Sequence, residues 1–329
     1  MVTLWWCALG LLTCGYFALA GYDYGIGMLL PGLDSDEPRR RQVLGALGPF
    51  FLANEVWLVA AVGVLFGAFP HLEGKVFAGA YVLVVTLLLG IVTFTASMQL
   101  RGRRPDGDRG GWTFGITAGA LVTAVSWGLF LGNLVQGLPL DTAGRPSGDL
   151  LALFNPYAVL WALGFVALFC LQGAVFLAVR GPAELTGRAA RLANAFAAPV
   201  LAFLVIATVW GFFALDGVTA LGISVVALAF AALAVTKLGL ATKRHRVALL
   251  GSMLLSACPA LLVGTLRFPT VLSADSGYRL TVADAATAPG TFDVLVWFAP
   301  PAIVVLVVVQ WLTWRAHRRP VDQRSLLHF

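Results

Sequence analysis

Two carboxylates stand in sequence apolar enough for a membrane interior. Asp23 lies within Gly21-Tyr22-Asp23-Tyr24-Gly25-Ile26-Gly27-Met28-Leu29, and Glu55 within Asn54-Glu55-Val56-Trp57. An acid in hydrocarbon costs on the order of 3 kcal/mol or more, so it pairs, takes up a proton or lines a wet path. A second set of polar side chains is made of amides. Asn133 and Gln136 close one apolar segment, Asn155 opens the next ahead of Pro156, and Gln172 and Gln310 fall inside or near later ones. Lone intramembrane amides usually join helices by hydrogen bonds.

The segments that must position these groups follow from composition. Of 329 residues, 59% are hydrophobic and 12% charged, with a mean hydropathy of +0.87. Runs of eighteen or more apolar residues recur, which marks an all-α polytopic membrane protein. Nine spans are expected, at about 3–30, 44–69, 75–100, 113–136, 156–179, 192–214, 218–236, 247–266 and 292–314, all in one integral membrane domain.

The basic residues check that count. Connections after spans 1, 3, 5 and 7, with the C-terminal tail, hold 18 Lys and Arg; the other connections hold 4. The alternation has no exception, so the N-terminus is expected outside and the C-terminus in the cytoplasm. The net charge of +6 thus reflects topology and attraction to anionic inner-leaflet lipid, and gives no support to nucleic-acid binding. Ala18-Leu19-Ala20 resembles a cleavage site, yet no Lys or Arg precedes it and the apolar run continues to Leu30, so an uncleaved first span is expected.

Antiparallel geometry brings the two acids to similar depth. Asp23 would lie about 12 Å and Glu55 about 16 Å from the inner face at 1.5 Å per residue. Gly21 and Gly25 form a small-xxx-small pair that lets another helix come close to Asp23. The acids then hydrogen-bond neighbouring helices, move protons or tune a partner's cofactor, or touch a lipid or quinone headgroup.

Other chemistry lacks its residues. His71, His245, His317 and His328 all fall outside the expected spans, whereas membrane haems use buried axial ligands, so no haem is expected in this chain. Cys7, Cys14, Cys170 and Cys258 show no metal spacing and read as small buried hydrophobes. Nucleotide-binding, Ser/His/Asp and zinc-hydrolase motifs are absent. Three options remain: a transporter, an ion-coupled channel, or the helper subunit of a redox complex. Connections are short except Arg267–Gly290, and the inner loop with Pro105-Asp106-Gly107-Asp108 reads as turns.

An ordered series of fragments resembles subunit II of cytochrome bd-type quinol oxidases over essentially the whole chain. It runs from the Gly21–Leu29 stretch through Gly48-Pro49, Asn54-Glu55-Val56-Trp57-Leu58 and Phe66-Gly67-Ala68-Phe69-Pro70. Gly132-Asn133-Leu134-Val135-Gln136-Gly137, Asn155-Pro156-Tyr157, Gln172-Gly173-Ala174, Leu280–Ala286 and Gln310-Trp311 follow. The resemblance implies two four-helix bundles plus a peripheral helix, in a bacterial cytoplasmic membrane. It implies a partner, subunit I, that carries haems b and d, oxidises quinol and reduces oxygen to water. Subunit II would be a haem-free scaffold with a structural quinone, oxygen or proton routes, and small single-span subunits nearby.

Residue by residue, Trp57 matches the tryptophan near the proposed oxygen entrance, and Asp23, Asn54 and Glu55 match the signature polar positions. Members often carry an aspartate where this chain has Leu52, and charges near the end of span 3 where it has Phe94 and Gln99. The resemblance therefore implies assembly more directly than proton delivery. The rival reading is an independent transporter built on Asp23 and Glu55, for which Gly25-Ile26-Gly27 could loosen a helix.

Overall fold

The structure is a computed structural model and describes residues 1–33, 36–102, 109–274 and 276–317. Among the described residues nine helices are long and apolar enough to cross a membrane. With no water in the bilayer core, each span must satisfy its backbone internally, and helices do so segment by segment. The spanning helices are α1 (Val2–Leu33), α2 (Glu37–Ala68), α4 (Tyr81–Gly102), α5 (Gly110–Gln136), α6 (Pro156–Arg180), α7 (Thr186–Ala214), α8 (Ala220–Ala241), α9 (His245–Thr265) and α11 (Pro289–Ala316). Two short α-helices, α3 (Pro70–Gly79) and α10 (Val282–Ala285), pack together at one end of the spans.

Several ends differ from those read in sequence. The second span starts at Glu37, because Pro38 suits a first turn and Arg39–Arg41 extend the helix through the inner interface. The third does not start at 75: α3 covers that stretch and the chain re-enters the membrane at Tyr81 after Gly79-Ala80. The long outer connection contains an antiparallel hairpin, β1 (Thr270–Ser273) with β2 (Arg279–Thr281), followed by α10. The turn expected around Pro105–Asp108 lies outside the described residues, as does His328.

Helices α6, α7, α8 and α9 close a four-helix ring, each packed on its neighbours. The other bundle joins α1 to α2 and α5, and α4 to α5. Helix α1 also packs on α6 and α9, and α5 packs on α6, so α1 and α5 form the seam between the bundles. Helix α11 leans on α2 as a peripheral span. Lipid is as apolar as leucine, so close backbone approach and interhelical hydrogen bonds, not hydrophobic burial, must hold such helices together. That requirement explains where the polar side chains and glycines fall.

Candidate functional site

The polar residues of α1 and α2 build a closed hydrogen-bonded group. Asp23 is 2% exposed, and its Oδ2 accepts from Asn54 Nδ2 at 2.8 Å. The same amide nitrogen lies 2.9 Å from the Tyr22 hydroxyl and 3.3 Å from the Leu19 carbonyl. Asn54 Oδ1 in turn accepts from Gln310 Nε2 at 3.1 Å, which brings in α11. Asp23 Oδ1 has no hydrogen-bond partner among the described residues. The amide pair therefore joins three helices around one acid.

Glu55 belongs to a different contact. It is half-buried, and the Thr95 hydroxyl of α4 donates to its Oε1. Similar depth does not make the two acids partners: Asn54, not Glu55, meets Asp23. Consecutive residues on a helix point about 100° apart, so only one of the two can face α1. Glu55 instead bridges α2 to α4, two helices whose backbones are not closely packed.

Aromatic side chains surround the group. Tyr16 and Tyr24 share a hydrogen bond at 3.0 Å, and Trp127 Nε1 donates to the Tyr16 hydroxyl at 3.2 Å. Phe94 stacks obliquely on Tyr24 with centroids 5.1 Å apart. Trp57 is buried at the α1–α2 seam, where its ring occupies the space that a Cβ on Gly15 would need, 2.1 Å away. Leu52 and Gln99 are exposed on the outward surfaces of α2 and α4.

The glycine pair beside Asp23 admits α6. A Cβ on Gly25 would stand 1.8 Å from the Phe169 carbonyl oxygen, and one on Gly173 would meet Gly25 at 2.6 Å. Next to this crossing Gln172 donates to the Ala18 carbonyl at 2.7 Å and accepts from Ser256 at 2.6 Å. It thereby links α6, α1 and α9. Helix α1 runs unbroken through Gly25-Ile26-Gly27.

The outer amides have structural partners. Asn133 donates to the Leu129 and Leu153 carbonyls, both at 2.8 Å, and accepts from Asn155 at 3.1 Å. Asn155 caps α6 by accepting from the Ala158 amide at 2.8 Å. Gln136 is half-buried, and its Oε1 lacks a partner among the described residues.

Three features were not singled out in the sequence. Thr95 carried no signal, since one hydroxyl in an apolar run is commonplace. At the inner end Glu37 binds Arg101 at 2.7 Å and Arg109 at 2.6 Å, tying α2 to α4 and α5. The third feature is an apolar cavity of about 550 Å³ in the α6–α9 bundle, second in chain order, lined by Tyr157, Trp161, Phe203, Ala207, Cys258 and Leu262 among others. Trp161 Nε1 has no hydrogen-bond partner among the described residues. No three His, Cys, Asp or Glu side chains gather as a metal site among the described residues.

Comparison with known proteins places this geometry. The family described as cytochrome bd terminal oxidase subunit II matches residues 1–317. Subunit 2 of the cytochrome bd-I ubiquinol oxidase of Escherichia coli K12 is 27% identical, with 96% of this chain and 94% of that one covered. Subunit 2 of the cytochrome bd ubiquinol oxidase of Bacillus subtilis is 26% identical, covering 98% and 97%. The structure of bd oxidase from Geobacillus thermodenitrificans contains a chain of the same fold, with a TM-score of 0.76 and 18% identity over 96% of this chain and 98% of that one.

Proposed function

The chain belongs to the cytochrome bd terminal oxidase subunit II family, and we propose that it acts as the haem-free scaffold of a complex that oxidises quinol and reduces oxygen to water. The observation that carries this reading is the use made of the intramembrane polar residues. Asp23, Asn54, Gln172 and Gln310 are buried and bonded between helices of this chain, as expected of groups that fix helix positions. Haems b and d then reside in subunit I. The half-buried or exposed positions of His71, His245 and His317 at helix ends support a chain that supplies no axial ligand.

An independent transporter built on Asp23 and Glu55 is the weaker reading. Transporters commonly form their sites from broken helices around a midplane cavity. Here α1 is continuous beside Asp23, and that acid is closed off by Asn54.

Within the complex, Trp57 is assigned to the oxygen route because it lies at the α1–α2 seam with its indole N–H unpaired among the described residues. Proton delivery is assigned to the partner, since Leu52 is apolar and exposed and Phe94 packs against Tyr24. The apolar cavity of the second bundle is assigned to a structural quinone, with Tyr157 and Trp161 as its polar neighbours. The membrane is assigned as the bacterial cytoplasmic membrane, with small single-span subunits as further partners.

The test is co-expression with the adjacent-subunit gene product, purification through a tag on this chain, and reduced-minus-oxidised spectra. Haem signals are expected only in co-expression. A stable chain that transports a substrate and never co-purifies with haem protein overturns the reading. Leu52→Asp is expected to add proton uptake through this chain, and unchanged uptake counts against a lost route.

A further inference from the structure

The loosest side of the second bundle is the seam between α7 and α8. Near one end of it Lys237 of α8 donates to Asn194 Oδ1 of α7 at 2.8 Å, and this bond fixes which faces of the two helices look at one another. Stepping along those faces by threes and fours gives Ala198, Leu201 and Val205 on α7, all exposed, and exposed Ala234 and Ala227 on α8. Farther along, Thr208 and Phe212 of α7 and Ile223 of α8 are exposed although they also line the apolar cavity. The seam therefore runs from a lysine at one end to the open side of the cavity at the other.

The charge at the lysine end is not neutralised within the chain. Lys237 stands four residues before the end of α8 at Ala241, about 6 Å inside the helix end. Its one hydrogen-bond partner among the described residues is a neutral amide. Asn194 directs its own Nδ2 to the Ala190 carbonyl at 3.0 Å. Arg191 lies one turn before Asn194 on the same face of α7, and Arg244 follows in the turn after α8; both are exposed. No acid of the described residues pairs with Lys237, Arg191 or Arg244. Glu37, on the first bundle, is taken by Arg101 and Arg109. Basic side chains gathered between helices at a membrane surface favour the phosphate of an anionic lipid.

We propose that the α7–α8 seam binds one anionic phospholipid, with its phosphate on Lys237 and Arg191, Arg244 flanking it, and one acyl chain lying along the seam to the mouth of the cavity. Length supports the fit. From Lys237 to Val226, which lines the cavity, α8 advances eleven residues, about 16 Å. Half of a bilayer's hydrocarbon core is about 15 Å, so one acyl chain covers that distance. The small side chains of Ala198, Ala227 and Ala234 leave room for it between the helices. A zwitterionic lipid fits less well, because it brings an amine to three cations. A second copy of this chain would set the same cations against its own.

The test uses the full chain with the partner that co-purifies, reconstituted in phosphatidylcholine nanodiscs doped with phosphatidylglycerol. Native mass spectrometry after release into detergent counts the lipid retained, and phosphatidylglycerol is expected to be retained in preference to phosphatidylcholine. Lys237→Gln can still donate to Asn194, so it removes the charge and keeps the interhelical bond. It is expected to weaken phosphatidylglycerol retention about five-fold, as loss of about 1 kcal/mol per basic residue at an anionic surface implies. Lys237→Arg is expected to retain the lipid, and Arg315→Gln, on peripheral α11, is expected to change nothing. Phosphatidylglycerol carrying a photo-reactive group at the end of one acyl chain is expected to cross-link to α7 near Thr208 and to α8 near Val226.

Equal retention by Lys237→Gln and the wild type overturns the proposal. So do equal retention of phosphatidylcholine by the wild type and cross-links confined to other helices.

Discussion

Gly25 of α1 and Gly173 of α6 face one another so closely that neither has room for a methyl group. Their contact is one of the places where the backbones of the two bundles meet; Gly128 of α5 against Ala162 of α6 is another.

Gly25→Ala and Gly173→Ala should therefore each destabilise the chain by about 1–3 kcal/mol, the usual cost of overpacking. Gly25→Ala should be the more severe, because its obstacle is a backbone carbonyl at 1.8 Å that cannot swing aside. Thermal unfolding in detergent measures both. Melting equal to wild type would mean that the helices separate without loss.

Asn54 serves Asp23 and Gln310 at once, so its replacement should cost more than that of either contact alone. Asn54→Leu leaves a buried carboxyl without its donor and is expected to cost about 1–3 kcal/mol. Gln310→Leu removes a single interhelical bond and is expected to cost about 0.6 kcal/mol. A double-mutant cycle between these positions should return coupling of similar size to the second figure, and strict additivity would show that the 3.1 Å contact carries none.

The inner-end ion pairs offer an independent test. Glu37→Gln leaves buried Arg101 without its counter-charge, and Glu37 itself is 40% exposed. The expected loss is on the order of 2 kcal/mol, below that for removing one member of a fully buried pair. Added salt should narrow the difference between variant and wild type, because the exposed side of the pair is screened. A gap that salt leaves unchanged would contradict an electrostatic cause.

Filling the cavity of the second bundle tests the quinone assignment. Ala207→Leu places extra bulk among the lining residues. Quinone extracted from the purified complex is expected to fall relative to haem, with haem per chain unchanged. Equal quinone in variant and wild type removes the assignment to this cavity.

Much of this protein could be read from its residues. Apolar length specifies nine spans, because a bilayer permits so few backbone solutions. Gly21 and Gly25 marked a close approach next to Asp23, and α6 makes it. The amides were expected to join helices, and Gln172 and Gln310 do so.

Partnership was beyond the sequence. Hydropathy and rise per residue give depth along a helix but not rotation about it, so Asp23 and Glu55 looked like neighbours. Only the packed helices decide that Asn54 turns to Asp23 while Glu55 turns to Thr95 and the open face. Thr95, the Glu37–Arg101–Arg109 cluster and the apolar cavity were equally hidden, because each is assembled from residues distant in the chain. Composition determined that this chain lives in a membrane; interhelical rotation decided which of its two buried acids is sealed inside it and which still faces outward.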